Sequence, residues 1–193
     1  MTFEGQKKRA LERLRIRGAD EEVEAIIEKI NRRDGFFTTS SCSGRIVLIC
    51  LPEIGAKREA RFIGKWHRRV RKAEVLEAMN DATPRIKGEV WLIAQSPILH
   101  VACRSLEQAT ALLRIAIESG FKYSGIKAIA KDDGKVMVEM MSTERMDVPL
   151  ASDGRVFCSE EYLDFILSKA NFMLDRGKAK LTRFGYGLNT IDL

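Results

Sequence analysis

Residues 38–45 bring together an unusual density of groups that can do chemistry. The segment holds five hydroxyls, a thiol, a glycine and an arginine: Thr38, Thr39, Ser40, Ser41, Cys42, Ser43, Gly44 and Arg45. Small side chains leave backbone N–H groups open to anions, and glycine allows a close approach to a ligand. Arg45 is suited to hold a carboxylate or phosphate through two parallel hydrogen bonds. We interpret the segment as a ligand-binding loop, with an ordinary polar turn as the alternative.

His100 is the second residue whose surroundings suggest chemistry. It interrupts the apolar run of residues 98–103, and alternation places it on one sheet face with Ile98 and Ala102. A polar ring there needs a hydrogen-bond partner, and a histidine of near-neutral pKa is a useful proton acceptor. The sequence therefore offers His100 either as a proton acceptor or as a structural histidine.

Basic residues are clustered in a chain whose formal net charge is +6. Residues 1–17 and 176–183 each hold several, and a third cluster runs from residue 57 to 72 with Glu59 as its only acid. Such clusters attract polyanions, although they are also common on solvated helix faces. Trp66 and His67 adjoin the third cluster and suit base stacking, with a core-edge tryptophan as the alternative. These patterns favour nucleic acid as the partner.

The elements that must position these groups alternate helices with paired strands. Apolar spacing and capping residues predict helices over residues 4–17, 71–80, from Asp20, from Ser105 and from Ser159. Strands are predicted at 46–51, 60–66, 89–94, 98–103, 125–130 and 136–141, with a hairpin turn at Asp133-Gly134. This order indicates an α+β fold with a mostly antiparallel or mixed sheet, and not a Rossmann fold.

Two helix–turn–strand segments resemble one another, one through Gly35 and Gly44 and the other through Gly120 and Gly125. We expect a single domain over residues 1–193, with two related, interlocked halves at about 20–100 and 105–183. The wider glycine spacing of the first copy predicts a turn enlarged into a working site.

Several classes of protein are disfavoured by composition. No apolar stretch reaches the roughly 20 residues that span a bilayer, and the polar, basic first residues are unlike a secretion signal, so a cytoplasmic location without membrane contact is expected. The spacing of the four cysteines predicts no metal site. Scarce amides and abundant Lys, Arg and Glu resemble a thermophile composition. No glycine-rich nucleotide fingerprint is present.

The ordered motifs resemble the tRNA wybutosine-synthesising protein 3 family. The similarity runs from about residue 34 to 183 and rests on the following residues: Ser40 to Arg45, Trp66-His67, Pro97 to Val101, Gly120-Phe121, Ser124 to Ile126, Pro149, Asn171 and Lys178. Ser96 and Ile98 depart from the family pattern around the proline. The resemblance implies an S-adenosylmethionine-dependent methyltransferase acting on N-4 of the tricyclic wybutosine-precursor base at position 37 of tRNA-Phe. It also implies a fold unlike the common methyltransferase fold.

Roles follow from combining the resemblance with the residue chemistry. The expected catalytic residues are His100, Ser41, Cys42 and Arg45, with His100 as the proton acceptor. Ser40, Ser43, Gly44, Ser124 and Gly125 are expected to bind S-adenosylmethionine. The expected contacts to the tRNA-Phe anticodon loop are Trp66, His67, Arg68, Arg69, Arg71, Lys72, Lys178 and Arg183. The alternatives are a non-catalytic tRNA-binding module and a hydrolase that uses Cys42 with His100 or His67.

Overall fold

Helices alternate with groups of strands, and all five helices lie where the apolar patterns predict them. The computed structural model describes residues 2–52, 58–82, 87–131 and 135–189. Its helices are α1 (Phe3–Arg17), α2 (Glu21–Asn31), α3 (Lys72–Ala82), α4 (Leu106–Glu118) and α5 (Glu160–Gly187). Its strands are β1 (Phe36–Cys42), β2 (Arg45–Leu51), β3 (Arg61–Trp66), β4 (Glu89–Gln95), β5 (Ile98–Cys103), β6 (Gly125–Ile129), β7 (Val136–Met141), β8 (Met146–Ser152) and β9 (Arg155–Val156). In this part of the chain, no helix is long and apolar enough to span a membrane.

The chain forms two compact units, each assembled from separate stretches of sequence. Unit 1 comprises Met1–Ser43, Pro97–Thr143 and Gly177–Leu193, and unit 2 comprises Gly44–Ser96 and Glu144–Arg176. Unit 1 contains a sheet of order β1-β5-β7-β6, and unit 2 contains one of order β3-β2-β4-β8-β9. All neighbouring strands in both sheets run antiparallel. The α+β class with antiparallel pairing is therefore confirmed, and the strands form two sheets.

The two faces of the unit 1 sheet have different coverings. Leu99 and Val101 of β5 lie in a core with α2, α4 and the last turns of α5. On the opposite face, Phe3 and Ala10 of α1 pack against Phe37 of β1 and other side chains of the sheet. Because side chains alternate along a strand, His100 lies on this second face, as the sequence predicts.

Unit 2 has a core of its own. The strand β2 contributes Ile46 and Leu48, which are fully buried with Leu92 of β4. The first turns of α5 cover this sheet with residues such as Leu163 and Ile166. The continuous apolar run of residues 46–51 had predicted such a buried strand.

The hydroxyl-rich segment is mainly strand, and the prediction of a loop is wrong for most of it. Residues 36–42 pair with β5, and only Ser43 and Gly44 lie between β1 and β2. Gly35 and Gly44 therefore lie at the two ends of a strand, whereas Gly120 and Gly125 flank a turn. The wider spacing between Gly35 and Gly44 therefore does not reflect an enlarged turn, because most of the residues between them form a strand that pairs with β5.

The predicted domain organisation differs from the two units in its boundaries. Halves at about 20–100 and 105–183 do not coincide with either unit, because each unit takes segments from both halves. A single domain with an internal duplication stays a prediction. The predicted hairpin turn at Asp133-Gly134 lies outside the described residues.

Candidate active site

A β-bulge shapes the strand that carries the hydroxyls. Thr38 pairs with Val101 and Ser40 pairs with His100, so Thr39 is an extra residue in β1. Asn31 at the end of α2 holds the strand beside the bulge, where its Oδ1 accepts a hydrogen bond of 2.8 Å from the Thr38 amide. Bulges bend a strand and change where its side chains point. Thr38 is buried, whereas the bulge leaves Thr39 and Ser40 at two consecutive exposed positions.

Four polar side chains form a row across all four strands of unit 1. Ser40 Oγ lies 2.8 Å from His100 Nδ1, and His100 Nε2 lies 2.9 Å from Glu139 Oε2. The other carboxylate oxygen of Glu139 accepts from Lys127 Nζ at 2.6 Å. The strand register brings these residues together, because Ser40 pairs with His100 and His100 pairs with Glu139. We call Ser40, His100, Glu139 and Lys127 the polar row.

Electrostatics determine which way the hydrogen bonds of the polar row run. Lys127, and then His100, hold the pKa of Glu139 below its ordinary value, against the effect of burial. An ionised carboxylate only accepts hydrogen bonds, so His100 Nε2 donates to it. In the neutral imidazole Nδ1 is then the acceptor, and the Ser40 hydroxyl donates to it. The arrangement can take up one proton at His100 through an exposed hydroxyl.

A cavity of about 220 Å³ opens beside this hydroxyl, between α1 and β1. We call it the β1 cavity. It is lined by Ala10, Arg13, Leu14, Arg17, Gly18, Thr38, Thr39, Ser40 and Ser41. Ser40 thus belongs both to the polar row and to the wall of the cavity, and Ser41 is the only other serine in that lining.

The remaining residues of the serine-rich motif have structural contacts. The Ser43 amide donates to Asp20 Oδ2 at 2.8 Å, which fixes the end of β1 to the start of α2, and Ser43 is fully buried. Gly44 has a φ of 94°, in the left-handed region that favours glycine. The prediction that Ser43 and Gly44 bind the cofactor remains untested.

Arg45, which was expected to bind an anion, contacts two other residues of unit 2. Its Nε donates to Gln95 Oε1 at 2.6 Å, and its guanidinium lies 5.4 Å from the centre of the Phe62 ring. Its catalytic role stays a prediction. Cys42 ends β1 opposite Ile98 and is half-buried. His100 does not serve it as a base, since both ring nitrogens of His100 face Ser40 and Glu139.

Ser124 and Gly125 lie at the other edge of the unit 1 sheet. The Ser124 hydroxyl donates to the Phe121 carbonyl at 2.7 Å and accepts from the Met141 amide at 3.3 Å. Gly125 begins β6 and pairs with Glu139. Three strand spacings separate this edge from β1, which is about 14 Å at roughly 4.8 Å each. A ligand that contacts both edges must therefore extend across the sheet.

Basic residues at positions 68–72 form ion pairs with acidic residues that come later in the sequence. Arg68 and Arg71 both contact Glu74, whose pKa falls to about 2, chiefly through its hydrogen bond with Arg68. The other ion pairs are Arg69 with Asp175 at 3.3 Å and Lys72 with Asp164 at 2.6 Å. The cluster is therefore less positive than its sequence suggests. Lys57, its first residue, lies outside the described residues.

The other predicted RNA contacts are also partly engaged. Lys178 forms an ion pair with Glu22, and Arg183 Nε donates to the Ser119 carbonyl at 3.2 Å. Trp66 ends β3 half-buried against the unit 2 core, and His67 follows it, also half-buried. Their role in RNA binding stays a prediction.

Sequence reasoning missed Glu139 and Lys127, and it included Arg13 and Arg17 only as part of a basic segment expected to attract polyanions. Glu139 carried a usable signal, because it is a lone acid in the apolar strand of residues 136–141, much as His100 is a lone imidazole in β5. Lys127 had no such signal. Arg13 and Arg17 were hidden among six basic residues of one segment.

Comparison with known proteins gives consistent matches over nearly the whole chain. The family described as Methyltransferase TYW3 matches residues 5–190. A Pyrococcus horikoshii protein named tRNA(Phe) 7-((3-amino-3-carboxypropyl)-4-demethylwyosine(37)-N(4))-methyltransferase 1 is 44% identical over 98% of this chain and 96% of its own length. A Thermococcus kodakarensis protein of the same name is 45% identical over 94% and 91%.

Solved structures agree with this assignment. The structure of the PH1069 protein from Pyrococcus horikoshii has a TM-score of 0.90 and 44% identity, and the match covers 98% of this chain and 97% of that one. A protein from Aeropyrum pernix matches with a TM-score of 0.74 and 32% identity, over 88% and 96%. With its sequence, fold and family match in agreement, the chain belongs to the Methyltransferase TYW3 family.

Proposed function

We propose that this protein is an S-adenosylmethionine-dependent methyltransferase that acts on N-4 of the tricyclic wybutosine-precursor base at position 37 of tRNA-Phe. The names of its relatives support the substrate class. The observation that carries the proposal for the chemistry is the hydrogen-bonded contact between the exposed Ser40 hydroxyl and His100 Nδ1.

The polar row supplies a route for the proton that the acceptor nitrogen must lose. The Ser40 oxygen accepts a hydrogen bond from the N–H of the base. The methyl group would pass from the donor's sulfur to the nitrogen, so that the S–C bond breaks as the N–C bond forms and a neutral thioether leaves. The N–H proton then moves to Ser40 Oγ while the Ser40 proton moves to His100 Nδ1. Glu139, already ionised, stabilises the imidazolium that results. Ser40 is then a catalytic residue and Glu139 a positioning residue.

Orientation supplies most of the remaining rate enhancement in this kind of displacement. S-adenosylmethionine, when bound, provides an electrophilic methyl group on a sulfonium. The chain's contribution is to align this donor with the base, and alignment of reactants is worth up to about 7–11 kcal/mol. The guanidinium donors of the β1 cavity suit the carboxylate end of such a ligand.

Basic side chains outside the polar row are the proposed contacts to tRNA phosphates. Arg68, Arg69 and Arg71 are largely exposed and Lys72 is partly exposed, so a phosphate can compete with their acidic partners at little cost. Binding that depends on phosphate contacts weakens steeply with salt. The tRNA affinity should therefore fall as the salt concentration rises.

The decisive experiment is mass spectrometry of tRNA-Phe nucleosides after incubation with the protein and S-adenosylmethionine. We expect a gain of one methyl group on the demethylated precursor base and on no other nucleoside. A matched reaction lacks only the methyl donor. If tRNA binds but no base gains a methyl group, the protein is a tRNA-binding module. Unchanged turnover by His100→Ala would remove the proton route through that residue.

A further inference from the structure

We propose that the β1 cavity is a binding site for an oxyanion, which Arg13 and Arg17 hold against the polar wall formed by residues 38–41. The cavity belongs to unit 1 alone, with a volume of about 220 Å³. The identity of the molecule that carries the oxyanion rests on the proposed function, whereas the site itself does not.

Helix geometry directs both arginines to the cavity. Arg13 and Arg17 are four residues apart in α1, so they lie one turn apart on the same face. Ala10 and Leu14 occupy the same face, and Ala10 packs against the sheet. The apolar contact thus anchors the helix, while the two long cationic side chains reach the cavity wall.

The lining has the composition of an anion site. Among the described residues that line it, two are cationic, four carry hydroxyls and none is acidic. Guanidinium groups bind carboxylates and phosphates through paired hydrogen bonds. The hydroxyls of Thr38, Thr39 and Ser40 donate to Asn31 and His100, so the two guanidinium groups are the main donors to the anion. Residues 38–41 are consecutive in β1, and the bulge leaves Thr39 and Ser40 exposed next to one another.

The site adjoins the proposed proton acceptor. Because Ser40 lines the cavity and also contacts His100, an oxyanion held there lies beside the hydroxyl that faces the acceptor nitrogen. Three groups in the proposed reaction carry an oxyanion. They are the amino-acid end of the methyl donor, the carboxypropyl chain that appears in the relatives' names, and an RNA phosphate. The shared chemistry is an oxygen-bearing anion.

The test uses the full chain with both arginines replaced, Arg13→Gln/Arg17→Gln. Its control is Arg114→Gln/Lys122→Gln, which removes two exposed positive charges from the same unit. Arg114 is on α4, which packs on the opposite face of the sheet. The first probe is inorganic pyrophosphate, with binding measured by calorimetry at low salt. We expect the cavity variant to lose at least about tenfold in affinity and the control to bind like the wild type.

Three further titrations distinguish the sources of the oxyanion. Weaker binding of S-adenosylmethionine alone assigns the site to the methyl donor. Weaker binding of tRNA-Phe that carries the carboxypropyl base, with unmodified tRNA unaffected, assigns it to the base. Equal weakening of both tRNAs, with a shallower dependence on salt than in the control variant, assigns it to a phosphate.

Failure of this proposal is distinct from failure of the proposed function. Equal affinities of the cavity variant and the control for every probe overturn the oxyanion site, even if the wild type methylates tRNA. Lack of pyrophosphate, donor and tRNA binding by the wild type also overturns it. A wild type that binds pyrophosphate through these arginines but never methylates tRNA retains the site and loses the proposed function. Circular dichroism of each variant checks that it is folded.

Discussion

The two edges of the unit 1 sheet are alike in construction and opposite in chemistry. Each edge strand follows a helix and a turn: α2 leads to β1, and α4 leads to β6. Each is also interrupted by a register shift, at Thr38/Ser40 in β1 and at Ile126/Ala128 in β6. The first edge contributes a hydroxyl to the polar row and lies under α1, whereas the second contributes Lys127 and is mostly exposed.

This difference between the two edge strands indicates that they have different roles in the polar row. The hydroxyl edge is where a substrate proton can enter, because Ser40 is exposed and adjoins a cavity. The cationic edge only sets the charge state of Glu139, because Lys127 lies beyond the carboxylate. Substitutions should therefore have smaller effects as they move from β1 to β6.

The largest effect is expected at the hydroxyl edge. Replacing Ser40 with Ala removes the group that passes the proton to His100, and general acid–base catalysis is worth about 10²–10⁴-fold. We expect kcat for methylation to fall by at least about 100-fold with a small change in KM. Thr110→Ala, which removes an exposed hydroxyl from α4, should retain the wild-type rate.

A double-mutant cycle sharpens this result. Ser40→Ala and His100→Ala should not be additive in their effect on kcat, because either change breaks the same proton route. Fully additive losses would mean that the two residues act separately, and the row would then be structural.

An intermediate effect is expected in the middle of the row, at Glu139. Glu139→Gln keeps a hydrogen-bond acceptor for His100 but removes the charge, so we expect kcat to fall about tenfold, the loss of one charge-assisted hydrogen bond. The pKa of Glu139 is lowered in the folded protein. Its stabilising contribution is therefore complete above the unfolded value of about 4.3 and is lost as the pH falls through the folded value.

Urea unfolding from pH 7 to pH 3 measures that contribution. The free energy of unfolding of the wild type should exceed that of Glu139→Gln by a constant amount down to about pH 5, and the gap should close below about pH 4. A gap that stays constant to pH 3 would show that the carboxylate is not held ionised by its neighbours.

The smallest effect is expected at the cationic edge. Lys127 is 58% exposed, and an exposed ion pair contributes less than about 1 kcal/mol. Lys127→Met should change kcat by no more than about threefold and stability no more than Arg32→Met, which removes another surface pair from unit 1. If Lys127→Met impaired methylation as severely as Ser40→Ala, the division between the two edges would be wrong.

Sequence patterns predicted the buried elements better than the site. Apolar runs such as residues 46–51 and 98–103 predict strands because burial in a sheet favours apolar residues at successive positions. Threonine and serine occur both in edge strands and in loops, so the same reasoning assigned residues 38–42 to the wrong class. His100 was identified as out of place among apolar neighbours, which is a local signal.

The partners of His100 depend on strand register, which no local pattern encodes. Glu139 reaches His100 only because β5 and β7 pair in one register, and a shift of one residue would turn it to the other face. Arg13 and Arg17 likewise reach β1 only because α1 packs there. The ion pairs of Arg69 and Lys72 depend on tertiary contacts in the same way, since Asp175 and Asp164 are distant in sequence.

The discontinuous make-up of unit 1 has a consequence for biosynthesis. All four members of the polar row have been synthesised once residue 139 is added, yet the core under their sheet also needs Phe184 and Leu188, which are made later. Phe121, whose ring lies 6.0 Å from that of Phe184, lacks this partner until then. A nascent chain therefore contains every member of the polar row before the core that supports them is complete. We expect a prematurely terminated product to be inactive and to be degraded by proteases.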